Sequence, residues 1–235
     1  MFWDVHSHVV PSGDDGVTSL DEGLELCREA ARRGTNVLFA TPHVWPHLEL
    51  SAGREEAIRS AHAAMAPRAA EAGLDLRLGF ELTPAPALLE ADLGRYRLGE
   101  TSAVLMELPF NGPLGLAERV AEEIEAAGFA PVVAHPERAD ALIDDPGRAA
   151  AYHDRGWLLQ VNATSLLGYH GDAPERTAWL LVEEGLAALV GSDGHRARRP
   201  PFLDEAYRAV RARVGEAGEA LFDGSALQAL VAPPV

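Results

Sequence analysis

The chain has 235 residues, a net charge of −16 and no lysine, so all 20 basic residues are arginine. Its length and 47% hydrophobic content suit one globular domain spanning 1–235, not a disordered or fibrous chain. Such acidity argues against nucleic acid and anionic membrane as partners, and without lysine neither a Schiff base nor a carbamylated-lysine metal ligand can form.

Other broad features narrow the class further. Cys27 is the single cysteine, so no internal disulfide can form. No basic segment followed by an apolar run opens the chain, and no stretch approaches the ~20 apolar residues of a membrane span. A soluble, cytoplasmic protein is the expectation.

In chain order, apolar runs at 2–6, 35–41, 75–81, 103–109, 131–135, 157–162 and 188–192 predict seven strands. Helical patterns near 19–33, 53–72, 115–127, 147–155, 175–184, 203–214 and 225–231 alternate with them. Gly34, Gly73, Gly128, Gly156 and Gly185 stand where a helix C′ glycine belongs. Repeated strand–helix units imply parallel strands, arranged as a β/α barrel or an open doubly wound sheet.

The ionisable residues cluster at the ends of these strands. "DVHSH" places His6 and His8 two apart on extended chain, hence on one side. "DDG" at 14–16 reads as a turn, and "ATPH" sets His43 after the second strand. Glu81 in "GFE" and Glu107 in "VLMELP" lie in otherwise apolar strands, where a carboxylate is costly unless paired or cation-bound. "VVAHPER" supplies His135 and Arg138, and "VGSDGH" supplies Asp193 and His195. Taken singly, each has a plain reading as a polar loop or strand-end residue. Together they serve six of seven strand ends, which favours a closed barrel, where those ends converge on one face, over an open sheet, where they would spread along an edge. About eight histidine and carboxylate ligands exceed the needs of one ion, so two or three clustered divalent ions are expected, with Mn, Zn or Fe suited to these donors.

Other candidates take plainer readings. "CREAARR" matches the bare cysteine–arginine spacing of thiol-dependent tyrosine phosphatases, but Leu20, Leu24, Cys27 and Ala31 recur at helical spacing, so Cys27 reads as a buried helix residue. His62 and His153 read as helix residues; His47 and His170 read as loop residues near the same face.

The ordered set "DVHSHVVPSGDDG", "ATPH", "GFE", "VLMELP", "AHPER", "QVNATSLLG" and "GSDGH…RRPP" resembles the polymerase-and-histidinol-phosphatase (PHP) superfamily, and within it the capsule-type bacterial manganese-dependent protein-tyrosine phosphatases. The resemblance runs through nearly the whole chain and implies a distorted seven-stranded β/α, TIM-like barrel. It implies that His6, His8, Glu81 and Asp193 hold one ion, that Glu81, Glu107 and His135 hold a second, and that Asp15, His43 and His195 hold a third. Arg138 and Arg199 would bind phosphate, although Arg196 and Arg198 stand close to Arg199. His43 would donate a proton if it is not fully engaged as a ligand. The implied reaction is metal-assisted phosphomonoester hydrolysis, with Mn favoured and the tyrosine-rich tail of a capsule or exopolysaccharide kinase as substrate. Competing readings are a small-molecule phosphatase acting on a compound such as histidinol phosphate, a metal-dependent amidohydrolase, and a non-catalytic metal-binding barrel.

Overall fold

Every strand pairing in the computed structural model, which describes residues 1–230, is parallel. The order is β1 (Phe2–Ser7), α1 (Leu20–Arg32), β2 (Thr35–Ala40), β3 (His43–Val44), α2 (Ala52–Ala70), β4 (Asp75–Leu78), β5 (Glu81–Leu82), β6 (Ala103–Glu107), α3 (Gly115–Ala126) and β7 (Ala130–Ala134). It continues through α4 (Asp140–Asp144), α5 (Gly147–Asp154), β8 (Leu158–Asn162), α6 (Ala163–Leu166), α7 (Asp172–Glu183), β9 (Ala187–Gly191), α8 (Asp204–Val214) and α9 (Ser225–Gln228). Short 3₁₀ turns cover Pro86–Glu90, Leu93–Tyr96, Pro136–Arg138 and Gly215–Leu221.

The described residues form nine strands rather than the seven expected, in sheets ordered β1-β2-β4 and β3-β5-β6-β7-β8-β9. The additional strands arise from interruptions. After β2 the chain meets Pro42, which has no N–H for a ladder, before β3 begins. After β4 comes Gly79, where a Cβ would sit 2.6 Å from Leu98 Cδ2, so the 97–99 segment wedges against the backbone there. Glu81 therefore opens β5 instead of closing the expected strand at 75–81.

Beyond the sheet ladders, the tail of β9 lies against β1. Asp193 N–H donates to His6 O (2.8 Å) and His8 N–H donates to Gly194 O (2.6 Å). Asp4, fully buried, accepts from the backbone N–H of Ser192 (2.9 Å) and of His6 (3.3 Å). The aspartate of "DVHSH" thus pins two strand ends together.

Side chains alternate between two apolar clusters, as strand geometry requires. Val37, Phe39, Ala103, Leu105, Val132 and Ala134 join one with Val5 and Leu189, while Leu38, Ala40, Val104, Met106 and Val133 join a larger one with helix residues. Strands apolar on both faces are the mark of a parallel sheet under helices. Helix α1 starts at Ser19, whose side chain accepts from the Glu22 N–H, and buries Leu24, Cys27 and Ala30. Leu20, expected on that face, is 36% exposed. The elements missed from sequence, α4, α6 and the 3₁₀ turns, are too short to show a hydrophobic period. The helix expected over 225–231 is seen as α9, and residue 231 lies outside the described residues.

Candidate metal centre

All nine candidate ligands and both candidate arginines converge where the strands end. A pocket of about 200 Å³ is lined by Asp15, His43, Glu107, His135, Arg138, Asp193, His195 and Arg199, with Trp45 and Phe110. His6, His8 and Glu81 are fully buried. Glu81 sits among four histidines: its Oε2 is 3.0 Å from His6 Nε2, 3.3 Å from His8 Nε2 and 3.0 Å from His43 Nδ1, and its Oε1 is 3.1 Å from His135 Nε2. Asp193 Oδ1 lies 3.6 Å from His6 Nε2 and 3.5 Å from His8 Nε2. Asp15 Oδ1 lies 3.1 Å from His195 Nε2 and 3.6 Å from His43 Nε2, at the exposed side of the pocket.

A second layer, unread in the sequence, orients this set. Gln160 Nε2 donates to Asn162 Oδ1 (3.0 Å), and Asn162 Nδ2 donates to Asp193 Oδ2 (2.9 Å). That leaves Gln160 Oε1 to accept from His6 Nδ1 at 2.8 Å, so the Nε2 lone pair of His6 faces the centre. Asp14 Oδ2 lies 3.5 Å from His8 Nδ1 and accepts from the His43 backbone N–H (3.0 Å), which turns His8 Nε2 inward too. Asp14 thus joins the site through His8 and His43, whereas the sequence alone assigns it to the turn. The Nε2 atoms of His6 and His8 are consequently only 3.2 Å apart.

Two backbone features mark the same place. Among the described residues, His135 (φ 35) and Asp193 (φ 52) are the non-glycine residues with positive φ. Such conformations cost about 1–3 kcal/mol each and persist where surrounding structure imposes them. Here the backbone N–H of His135 donates to Gln160 O and that of Asp193 to His6 O, at 2.7 and 2.8 Å.

The electrostatics are those of crowded charge. Burial alone would raise the Glu81 carboxyl, but the His6 and His43 charges and a hydrogen bond from His135 hold it well below the usual range. Asp193 behaves likewise: burial opposes, and His6 with a His8 hydrogen bond prevails. Burial and the Glu81 charge push Glu107 up to about 7, and the Thr83 hydroxyl donates to its Oε1. Burial lowers the His43 imidazole to about 4, against the opposing pull of the Glu81 charge.

The residues present fit divalent cations. Glu81 Oε2, His43 Nδ1 and His135 Nδ1 are buried without a hydrogen-bond partner. Three donor sets have ligand atoms mutually within 4.8 Å: His6, His8 and Asp193; His6, Glu81 and His135; and His8, His43 and His195. Nitrogen and carboxylate donors without thiolate suit Mn, Fe or Zn.

Arg138 Nη1 is 3.2 Å and Arg199 Nη2 3.5 Å from opposite oxygens of Asp193, and both side chains line the pocket. The Arg138 guanidinium lies over the Phe110 ring at 4.4 Å. Arg196 Nε instead donates to Gly16 O (2.7 Å), and Arg198 does not line the pocket. The Pro-Pro pair explains the placement: a Cβ at Gly194 would lie 2.5 Å from Pro201 Cα, so only glycine lets Pro201 dock there and fold Arg199 back over the site.

Asp15 and Glu107 line the pocket but belong to none of the three donor sets, and the remaining candidates lie outside them as well. His62 Nε2 pairs with Leu76 O at 2.9 Å. His170 Nδ1 lies 2.9 Å from Ser165 Oγ, and burial together with the Arg138 charge lowers its pKa to about 4. His47 stacks on Trp45, which stacks on His43, at 5.3 and 4.4 Å between centroids. Cys27 is fully buried on α1, and burial pushes its thiol up to about 12. A thiol that stays protonated and inaccessible at pH 8 is not a nucleophile. A thiol-specific chromogenic reagent is therefore expected to leave Cys27 unlabelled in native protein and to label it fully in denaturant.

Residues 2–225 match the family model for capsular polysaccharide synthesis, CpsB/CapC. The chain belongs to that family. Its CpsB/CapC relatives include the tyrosine-protein phosphatase YwqE of Bacillus subtilis, 28% identical over 204 residues that span 85% of this chain and 79% of YwqE. The tyrosine-protein phosphatase CpsB of Streptococcus agalactiae is 29% identical over 219 residues, 88% of each chain. A solved structure from work on YwqE of B. subtilis and CpsB of Streptococcus pneumoniae, described as metal-dependent tyrosine phosphatases, superposes with a TM-score of 0.85 at 26% identity, covering 97% of this chain and 93% of that one. Among the described residues no helix is long and apolar enough to cross a membrane.

Proposed function

We propose that this CpsB/CapC chain is a metal-dependent phosphomonoester hydrolase that removes phosphate from protein phosphotyrosine, with the tyrosine-rich tail of a capsule or exopolysaccharide kinase as its substrate. The observation that carries the reading is one buried carboxylate, Glu81, within 3.3 Å of four histidine nitrogens at the floor of a pocket roofed by two arginines. Four carboxylates around one pocket would repel a phosphate dianion, so substrate binding requires cations at the centre.

In this reading the chain is one domain whose interrupted strands serve as seven staves of a distorted barrel. His6, His8, Glu81 and Asp193 hold one ion; Glu81, Glu107 and His135 hold a second; Asp15, His43 and His195 hold a third, with Mn the favoured metal. When bound, the ions supply a water activated near neutral pH and neutralise the phosphoryl oxygens. Arg138 and Arg199 orient the phosphoryl group through paired N–H donors, each kept in place by one oxygen of Asp193. His43, whose Nδ1 lies 3.0 Å from Glu81 Oε2, serves as a ligand and would donate a proton to the leaving group if it is not fully engaged there. The phenolate of tyrosine, with a pKa of about 10, is a tolerable leaving group with little protonation.

Gln160 tests the second layer. Gln160→Leu removes the acceptor that sets the His6 tautomer, and ion affinity is expected to weaken roughly 10- to 100-fold. Calorimetric Mn titration would show this; unchanged affinity would mean that His6 is oriented by packing alone.

Initial rates on a phosphotyrosine peptide and on histidinol phosphate, with and without chelator, test the function. The expected result is a higher kcat/KM for the peptide, abolished by chelation and restored by Mn. Faster turnover of histidinol phosphate would transfer the chain to the small-molecule reading.

A further inference from the structure

Beside the metal pocket lies a second cavity of about 410 Å³ that shares two wall residues with it, Glu107 and Phe110. Its remaining wall is apolar, chiefly Pro84, Pro109, Pro113, Leu116 and Ala117. Of the two polar side chains in the lining, the Thr83 hydroxyl donates to Glu107, which also lines the metal pocket, so Thr83 needs no ligand group. In a chain of net charge −16 this is a largely apolar cleft, with Glu107 the one ionisable residue of its lining among the described residues, and it shares a wall with the charged metal pocket. Phe110 stands between the two, 43% exposed, with the Arg138 guanidinium over its ring and its centroid 5.6 Å from that of His135.

We propose that this cleft is a substrate subsite that takes an apolar side chain next to the phosphotyrosine in the peptide being dephosphorylated. The inference rests on the phosphatase reading above. Continuity with the pocket sets the occupant: whatever enters the cleft is attached to a group whose phosphate lies against Arg138. The cleft is roughly twice the volume of the metal pocket, which leaves room for a full side chain. Three prolines fix the backbone of its wall, so the subsite is preformed. An apolar side chain leaves water there without asking for any polar partner, whereas a charged or hydroxylated one loses hydrogen bonds that the wall does not replace.

The test compares phosphotyrosine peptides that carry leucine or serine at the position before or after the phosphotyrosine, together with p-nitrophenyl phosphate, which has no side chain to reach the cleft. All assays use the Mn-loaded enzyme. On one side of the phosphotyrosine, leucine is expected to exceed serine in kcat/KM by roughly tenfold, the usual worth of one apolar contact. Leu116→Asn, a change of similar size at a half-buried position in the first turn of α3, is expected to erase that preference and leave the p-nitrophenyl phosphate rate unchanged. No preference in the unmodified enzyme, or an equal loss on peptide and p-nitrophenyl phosphate in the variant, would overturn the subsite. If p-nitrophenyl phosphate is hydrolysed but no phosphotyrosine peptide is, the protein-phosphotyrosine reading fails first and the subsite with it.

Discussion

Glu81→Gln is expected to lower kcat/KM by about 10³-fold or more, because in the proposed arrangement two ion positions would share this one side chain and Lewis-acid stabilisation is worth several kcal/mol. The substitution conserves volume, so the fully buried position stays filled. What changes is the chemistry. An amide carries no charge and turns a donor toward His6, His8, His43 and His135, whose nitrogens now face a carboxylate. Bound metal is expected to fall by at least one ion per chain, with an unchanged far-ultraviolet spectrum showing that the fold survives. A variant with full metal content and full rate would contradict the assignment.

The second large effect belongs to the arginines. Arg138→Lys and Arg199→Lys keep the charge but lose the planar fork that matches two phosphoryl oxygens. Each is expected to cost on the order of 10²-fold in kcat/KM, the usual loss for one preorganised donor at a charge-developing oxygen, with metal content unaltered. Arg196→Ala provides the contrast. Its guanidinium is committed to Gly16 O outside the pocket lining, so the rate on p-nitrophenyl phosphate is expected to stay within about twofold of the parent, as for a surface change away from the reacting groups. A large loss in Arg196→Ala with none in Arg199→Lys would reverse the assignment.

The candidate residues were legible in the sequence because each follows or ends a short apolar run, and parallel strands carry such ends to one face. His6 and His8, Glu81, His135 and Asp193 are of this kind. The layer behind them was not legible. Gln160 lies 154 residues from His6 in sequence and is one more polar residue in an apolar strand until the two strands are brought together. Asp14 looked like half of an Asp-Gly turn; only the fold shows it facing His8 and capping the His43 N–H. The broken strands were hidden for a related reason. Pro42 was visible, but the wedge of Leu98 against Gly79 comes from a segment almost 20 residues away. The apolar lip around Phe110 likewise joins the end of β6 to the first turn of α3, which the sequence leaves as two unrelated stretches.

The proposed role of this buried histidine–carboxylate cluster, holding several ions at once, is tested by stripping the protein with chelator, returning Mn in steps, and measuring in each sample both ions bound per chain and rate on a phosphotyrosine peptide. The predicted result is negligible rate up to one ion per chain and full rate at two to three, the occupancy expected of a multi-ion hydrolytic centre. Full rate with less than one ion per chain would contradict it.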